Sequence, residues 1–274
     1  VVFNQDLSKW DISRVTTLAS TFKKAIHFNQ VEEENPATIN SICYITDTSL
    51  DIFSQNLFPN QNKTTGYLQG NLAKVTNLHS MFAGSGFNNN ISHWDVSRVT
   101  NMQSAFSGHF NQDISKWSID SMTTLENTFS GASAFNQDIS KWDVSRITSL
   151  AGTFKLATSF NQVSIKIQAR LVPYNNNNLT LITISTLILP FLQKDLLQWD
   201  VSRVTSLAST FNGATNFNKD ISTWNVAAVT NMVYTFYTAT YFDQDLRDWD
   251  VSNVNNMFGC FNSASNFNQN ISNW

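Results

Sequence analysis

Charged side chains recur at fixed distances from tryptophan along this chain, and they are its best candidates for chemistry. An Asp directly follows a Trp at five positions, and an Arg stands four residues after a Trp at four positions. Repeated carboxylates and cations can bind a polar ligand, and clustered carboxylate oxygens are what a hard cation such as Ca²⁺ requires. The candidate ligand contacts are Asp95, Lys116, Lys141, Asp143, Arg146, Asp200, Arg203 and Asp250.

A calcium site is the weaker interpretation of these Asp residues. Like charges on neighbouring strands destabilise a sheet, and the flanking Lys and Arg residues can offset that repulsion. No glycine-rich calcium loop accompanies the Asp positions. We therefore expect a solvated ladder of charges and no bound metal ion.

The other reactive residues do not form a catalytic or metal-binding pattern. His27, His79, His93 and His109 have no Cys or carboxylate at metal-ligand spacing. The sequence also lacks a nucleophile elbow, a phosphate-binding loop and a zinc motif. We expect a protein that is not an enzyme and needs no cofactor. A catalytic site that uses Cys43 and His27 ranks last among the functions considered.

The composition excludes several classes of protein. The 274 residues carry a formal net charge of −3, so the broad basic field of a nucleic-acid-binding protein is missing. Hydrophobic residues make up 42% of the chain, which is enough for a continuous core. Two Cys cannot form a disulfide framework. The apolar stretch from Leu179 to Leu189 is too short and too rich in Thr to span a membrane.

The elements that position the charged residues follow from an internal repeat. Trp occurs eight times, and four of the intervals between successive Trp residues are 25 residues. A fixed period of this length is the signature of a solenoid, whose units bury their apolar faces only by stacking. The chain, 1–274, is therefore expected to be a single repeat solenoid. Neither end resembles a polar cap, which suggests a fragment of a longer array.

The repeat over 135–160 illustrates the expected elements. Its segment Ile139–Val144 follows the strand pattern of leucine-rich repeats, with Trp142 in the middle position. Apolar residues from Ile147 to Ala157 fall at i, i+3, i+7 and i+10, which predicts a short helix. The expected fold class is an α/β repeat solenoid, leucine-rich-repeat-like, with one short strand and one short helix per 25-residue unit and two irregular insertions.

Other repeated positions are expected to be structural. Phe occurs twelve residues after Trp, as at Phe154, and again in the following turn, as at Phe160. This spacing within an apolar pattern favours two core columns of rings over a binding groove. The turn Asn residues, such as Asn136, are expected to satisfy backbone groups of adjacent repeats.

Two segments interrupt the repeat, at about 31–70 and 163–194. Loops on a rigid scaffold often carry function, so a lid or a docking finger is one interpretation. The other is that both segments are translated introns. Each begins with Val directly after Gln, and Gln69 and Gln193 lie at their ends. Val codons start with GT and one Gln codon ends in AG, the letters at the two ends of an intron.

The repeated unit Phe-Asn-Gln-Asp-Ile-Ser-Lys-Trp-Asp-Val-Ser-Arg-Val-Thr resembles a known family. It is similar to the BspA-like leucine-rich repeat surface proteins of bacteria, mycoplasmas and many protists. The units within 117–160 and 199–274 match best. The resemblance implies a cell-surface or extracellular protein with a role in adhesion to proteins or glycans, and it brings no catalytic residues.

The expected function is therefore a non-enzymatic scaffold that binds a protein or glycan ligand, on a host or neighbouring cell, through its strand face. No nucleic-acid partner and no membrane span in this fragment are expected. The alternative is a structural cell-wall or matrix spacer without a specific ligand. Ice binding comes third because it needs a flat Thr array on a sheet. The repeated threonines considered for such an array are expected on the helical side, at Thr128, Thr153, Thr210 and Thr235.

Overall fold

The computed structural model describes residues 14–26, 72, 74–161, 173–174, 178–179 and 196–274. Regular secondary structure is sparse within these residues. Strand β1, Pro173–Tyr174, pairs antiparallel with strand β2, Asn178–Leu179. One 3₁₀-helix spans Leu196–Gln198. Most of the described chain consists of turns and of isolated β-bridges between repeats.

The expected α/β solenoid, with one strand and one helix per repeat, is wrong. The segment Ile139–Val144, predicted as a strand, contains a tight turn. Its Trp142 N–H donates to the carbonyl of Ile139 at 3.1 Å. A second turn follows at once, because the Ile147 N–H donates to the carbonyl of Val144 at 2.9 Å. Two successive turns leave no extended stretch that could form the predicted strand.

The predicted helix over Ile147–Ala157 is excluded by two residues with left-handed backbone. Gly152 has a φ of 63° and Leu156 a φ of 59°, whereas an α-helix needs negative φ at every position. Positive φ recurs at the equivalent two positions of the other described repeats, at Ser20, Lys24, Ser80, Gly84, Ser104, Gly108, Asn127, Gly131, Ser209, Gly213, Tyr234, Thr238, Gly259 and Ser263. The irregular backbone is therefore a property of the repeat itself.

Backbone hydrogen bonds in this segment alternate between the next repeat and the same repeat. The Phe154 N–H donates to the carbonyl of Thr210 at 3.0 Å, while the Thr153 N–H donates three residues back, to Leu150, at 3.0 Å. Successive repeats thus stack in parallel, but only single residues have the geometry of a β-bridge. The bridges join Thr17 to Asn77, Asn77 to Asn101, Thr124 to Ser149, Ser149 to Ser206, Ser206 to Asn231 and Asn231 to Asn256.

The repeats on either side of each predicted insertion are direct neighbours in this stack. Ser149 bridges Ser206 across the second insertion, and Thr17 bridges Asn77 across the first. Apart from β1 and β2, the insertions lie outside the described residues. The stacking order is therefore that of the repeats, whatever length of chain separates two of them.

Aromatic rings fill the interior of the stack. The ring centroids of Phe129 and Phe154 are 5.9 Å apart, and those of Trp224 and Trp249 are 6.4 Å apart, with the planes nearly parallel in both pairs. All four side chains are buried, which confirms the prediction of a core over a groove. The indole N–H of Trp224 also donates to the carbonyl of Leu196 in the preceding repeat, at 2.9 Å.

Candidate functional site

The exposed polar side chains of each repeat follow the Trp position. In the repeat of Trp142, the side chains of Asp143, Arg146 and Thr148 are exposed, while Val144 and Ile147 between them are buried. Equivalent residues line up from repeat to repeat because the repeats stack in parallel. We name this surface the polar face. It consists of Asp95, Asp143, Asp200, Asp250, Arg14, Lys74, Arg98, Arg146, Arg203, Thr16, Thr76, Thr100, Thr123, Thr148, Thr205 and Thr230.

Each Asp of the polar face closes a local turn. An Oδ1 atom of Asp143 accepts the backbone N–H of Ser145 at 3.0 Å. The hydroxyl and backbone N–H of Ser145 lower the pKa of Asp143, and the nearby Arg146 cation lowers it further. The other three members accept the N–H of the Ser two residues on, in the pairs Asp95 with Ser97, Asp200 with Ser202 and Asp250 with Ser252, each at 3.0 Å. These carboxylates are held in place before any ligand arrives.

The position four residues after Trp connects neighbouring repeats. A guanidinium nitrogen of Arg146, Nη1, donates to the carbonyl of Asp120 in the preceding repeat at 3.1 Å. Where Arg is missing, Ser121 and Asn253 donate to the equivalent carbonyl of their preceding repeats, at 2.6 and 2.8 Å. In these three repeats the position therefore has a structural role, and at Arg146 it also carries a charge.

Of the remaining predicted contact residues, Arg203 belongs to the polar face, and Lys116 and Lys141 lie at its edge. Lys116 and Lys141 directly precede a buried Trp, and both are exposed. Arg203 is exposed at the same repeat position as Arg146. All eight predicted contact residues are thus on the surface. The equivalent charges at the start of the chain, Lys9 and Asp11, lie outside the described residues, as do His27 and Cys43.

An exposed column of threonines runs beside these charges, and the sequence reasoning missed it. The hydroxyl of Thr148 donates to the carbonyl of Thr123 in the preceding repeat at 3.0 Å, and Thr205 donates to Thr148 at 3.1 Å. A signal was available, since Thr stands six residues after the Trp position in seven repeats. The bonds to the neighbouring carbonyls fix the orientation of these hydroxyl groups along the stack.

The threonines expected on the helical side are interior residues. Thr128, Thr153, Thr210 and Thr235 are fully buried. The hydroxyl of Thr210, for example, donates to the carbonyl of Leu150 in the preceding repeat at 2.9 Å. This column cannot contact a ligand.

The turn asparagines connect adjacent repeats, as predicted. An Oδ1 atom of Asn111 accepts the backbone N–H of Asn136 at 2.9 Å, and that of Asn136 accepts the N–H of Asn161 at 3.0 Å. The buried Oδ1 of Asn161 has no hydrogen-bond partner. Asn161 is the last described residue before most of the second insertion, so the amide ladder is interrupted at that point.

Neither a metal centre nor a membrane-spanning helix is found in the part of the chain that the structure describes. No group of three or more His, Cys, Asp or Glu side chains there could hold a metal ion. No helix among those residues is long and apolar enough to cross a bilayer.

The whole chain was compared with known proteins. It matches the family described as "Mycoplasma protein of unknown function, DUF285" over residues 1–43, 51–168 and 185–274. The chain belongs to this family. DUF285 is a repeat family, so the prediction of a repeat protein is confirmed, while the narrower assignment to the BspA-like proteins stays a prediction. No curated protein and no solved structure matches the chain significantly.

Proposed function

We propose that this DUF285 chain is a non-enzymatic binding scaffold of a cell surface or extracellular matrix, and that the polar face is its contact surface. The observation that carries the proposal is a column of exposed Thr side chains in seven successive described repeats, with an exposed Asp and Arg beside it in the repeats of Trp94, Trp142 and Trp199. The resemblance of the repeat unit to BspA-like surface proteins supports adhesion to a protein or glycan as the outcome of binding.

Preorganisation supports a binding role for this surface. The Asp143 carboxylate is held by Ser145, the Arg146 guanidinium by a neighbouring carbonyl, and the Thr148 hydroxyl by another. Side chains that are already ordered lose little conformational entropy when a ligand binds, which favours affinity. A rigid face of polar groups suits a ligand that is itself rich in hydrogen-bonding groups.

A structural spacer is the second candidate, and the same bonds favour it. If Asp143 and Arg146 serve only to close turns and connect repeats, their recurrence needs no ligand. The two functions differ in what the exposed charges do. A spacer requires only the turn and the connection between repeats, whereas a binding scaffold also requires the charge itself.

A binding array tests the proposal. The purified chain is applied to immobilised glycans and matrix proteins, with and without calcium, and compared with the variant D143N/R146N. Asn occupies the two equivalent positions elsewhere, at Asn225 and Asn253, and makes the same hydrogen bonds there. We expect the wild-type chain to bind a specific ligand on the array. We expect the variant to bind the same ligand more weakly. If the folded protein binds nothing on the array, the result favours the structural spacer.

A further inference from the structure

We infer that the ligand of the polar face is a linear, uncharged polysaccharide that lies along the stack and contacts several repeats at once. This inference rests on the binding function proposed above and specifies the class of ligand. It follows from the periodicity of the face, its balanced charge and the kind of side chains it lacks.

The polar face offers an exposed Thr in seven described repeats and an exposed Asp with an exposed Arg in three of them. The carboxylates of Asp95, Asp143, Asp200 and Asp250 make the same Asx turn, and the hydroxyls of Thr100, Thr148, Thr205 and Thr230 make the same bond to the preceding repeat. Neighbouring copies are close enough for the Asp143 carboxylate to raise the pKa of Asp200, against the stronger lowering by Ser202. A ligand that matches this surface repeats its own groups along one direction, as a polymer does.

The charges of the polar face nearly cancel. It carries four carboxylates and five cations, which leaves one positive charge spread over the stack. Opposite charges are also close together in the repeat of Trp94, where the hydrogen bonds to Ser97 do most to lower the pKa of Asp95 and the Arg98 cation lowers it further. A polyanion such as heparin, or a polycation, would meet repulsive groups in the repeats of Trp94, Trp142 and Trp199, each of which carries both an exposed Asp and an exposed Arg. The face therefore favours a neutral ligand.

The polar face lacks the anchors of a protein-binding surface. Protein interfaces depend on a few large aromatic or apolar side chains that enter pockets of the partner. The exposed large hydrophobic side chains of the described residues are Ile26, Leu156, Tyr241, Met257 and Phe258, and none of them belongs to the polar face. Carboxylate, guanidinium and hydroxyl groups instead match the dense hydroxyl groups of a sugar chain.

Many equivalent contacts predict a distinctive response to mutation. When several linked contacts act together, the loss of one weakens binding modestly, and the loss of several weakens it multiplicatively. A unique pocket behaves differently, because a single substitution in it removes most of the affinity. Binding to a periodic face also increases with the length of the polymer, since a longer chain engages more repeats.

The experiment measures binding of amylose, a β-1,3-glucan and mannan to the full chain, each as a polymer and as its trisaccharide. The single-repeat variant D143N/R146N is compared with a three-repeat variant that adds D95N/R98N and D200N/R203N. We expect at least one polymer to bind more than about tenfold better than its trisaccharide at equal sugar concentration. We expect a loss of about threefold in the first variant and of about thirtyfold in the second. Circular dichroism and the melting temperature confirm that both variants are folded.

Heparin and the matrix proteins of the binding array are measured in parallel. A trisaccharide that binds as tightly as its polymer would overturn the inference, and so would complete loss of binding in the single-repeat variant. Binding to heparin or to a protein, but to none of the neutral polymers, would also overturn it while leaving the proposed binding function intact. If the folded chain binds none of these ligands, both the inference and the proposed binding function are wrong.

Discussion

At the scale of single residues, the Asp and Ser of the repeated Asp-Val-Ser triplet form one structural unit. Asp143 accepts the N–H of Ser145, and the equivalent bond to Ala227 is made by Asn225. An uncharged amide thus replaces the carboxylate without loss of the turn. The pattern of Asp and Ser was visible in the sequence, but its interpretation as a charge ladder missed the turn, because an Asx turn depends on backbone geometry as well as on residue type.

These turns predict a specific dependence of stability on pH. Bonds to Ser lower the pKa of Asp95, Asp143, Asp200 and Asp250 in the folded state. A group with a lowered folded pKa contributes stability above its unfolded pKa, near 3.8 for Asp, and loses it as the pH falls through the folded value. We expect the melting temperature of the wild-type chain to decrease between about pH 4 and pH 2.

The matched variant replaces all four of these Asp residues by Asn. Its turns remain, as at Asn225, but the four carboxylates no longer titrate. We expect a smaller decrease in melting temperature over the same pH range, measured by circular dichroism. Equal decreases in the variant and the wild type would show that these carboxylates do not stabilise the folded state.

Cys260 gives a second prediction at this scale. Its side chain occupies the interior position that is Thr235 in the preceding repeat, and burial raises the pKa of its thiol to about 12. The reactive thiolate is therefore scarce as well as enclosed. In a C43S background, iodoacetamide at pH 8 is expected to leave Cys260 unmodified in the folded chain and to alkylate it in denaturant. Mass spectrometry measures both, and rapid modification under native conditions would contradict the buried position.

At the scale of the element, left-handed residues explain why the expected helix is absent. Positive φ at Gly152 and Leu156 turns the chain every few residues, and the turns reproduce the spacing of apolar residues that a helix would show. The period and the core positions, such as Phe154, could be predicted because burial determines them. The backbone could not, because turns and helices bury residues at the same intervals. Gly108, Gly131 and Gly213 were the residues in the sequence that could have indicated left-handed backbone at this position.

Leu156 tests the importance of this left-handed position. Its φ is 59°, while the equivalent residue in the next repeat, Gly213, has a φ of 71° and no side-chain penalty. Leu156 is 49% exposed, so its removal uncovers little of the core. We expect L156G to increase the free energy of unfolding by about 1 kcal/mol, measured in urea.

The control for this variant is G152A. Gly152 has a φ of 63°, and an added methyl group would collide with the side chain of Asn127. We expect this change to decrease the stability by at least about 1 kcal/mol. A stabilising G152A, or a destabilising L156G, would mean that backbone strain at these positions is not what limits stability.

At the scale of the whole molecule, stacking depends on contacts between neighbouring repeats and not on the length of chain between them. Thr230 donates to Thr205 across 25 residues, while the same bond from Thr205 to Thr148 crosses 57. Repeat proteins behave in this way because each unit contacts only its neighbours. Each repeat therefore contacts only its two neighbours. We expect a substitution in one repeat to change the structure of that repeat and of the adjacent ones only.

The second insertion provides the decisive test of this view. Deletion of residues 163–194 removes 32 of the 57 residues, leaves the usual 25, and joins Phe-Asn-Gln directly to Asp195. The junction then has the sequence Phe-Asn-Gln-Asp-Leu-Leu-Gln-Trp, which matches the repeat. It also returns Asn161, whose Oδ1 is buried without a partner, to a normal turn. We expect a folded chain with an equal or higher melting temperature, since a satisfied amide and a shorter loop both favour the folded state.

A deletion of the same length at 179–210 is the matched control, because it removes Trp199 and Thr210 from the core and leaves part of the insertion in place. We expect that variant to melt at a clearly lower temperature, or in two steps, since the stack on either side loses its contacts. If both deletions destabilised the chain equally, residues 163–194 would have to be a required part of the fold. If only the control does so, the segment is dispensable for folding, and sequencing of the transcript then decides between a functional loop and a translated intron.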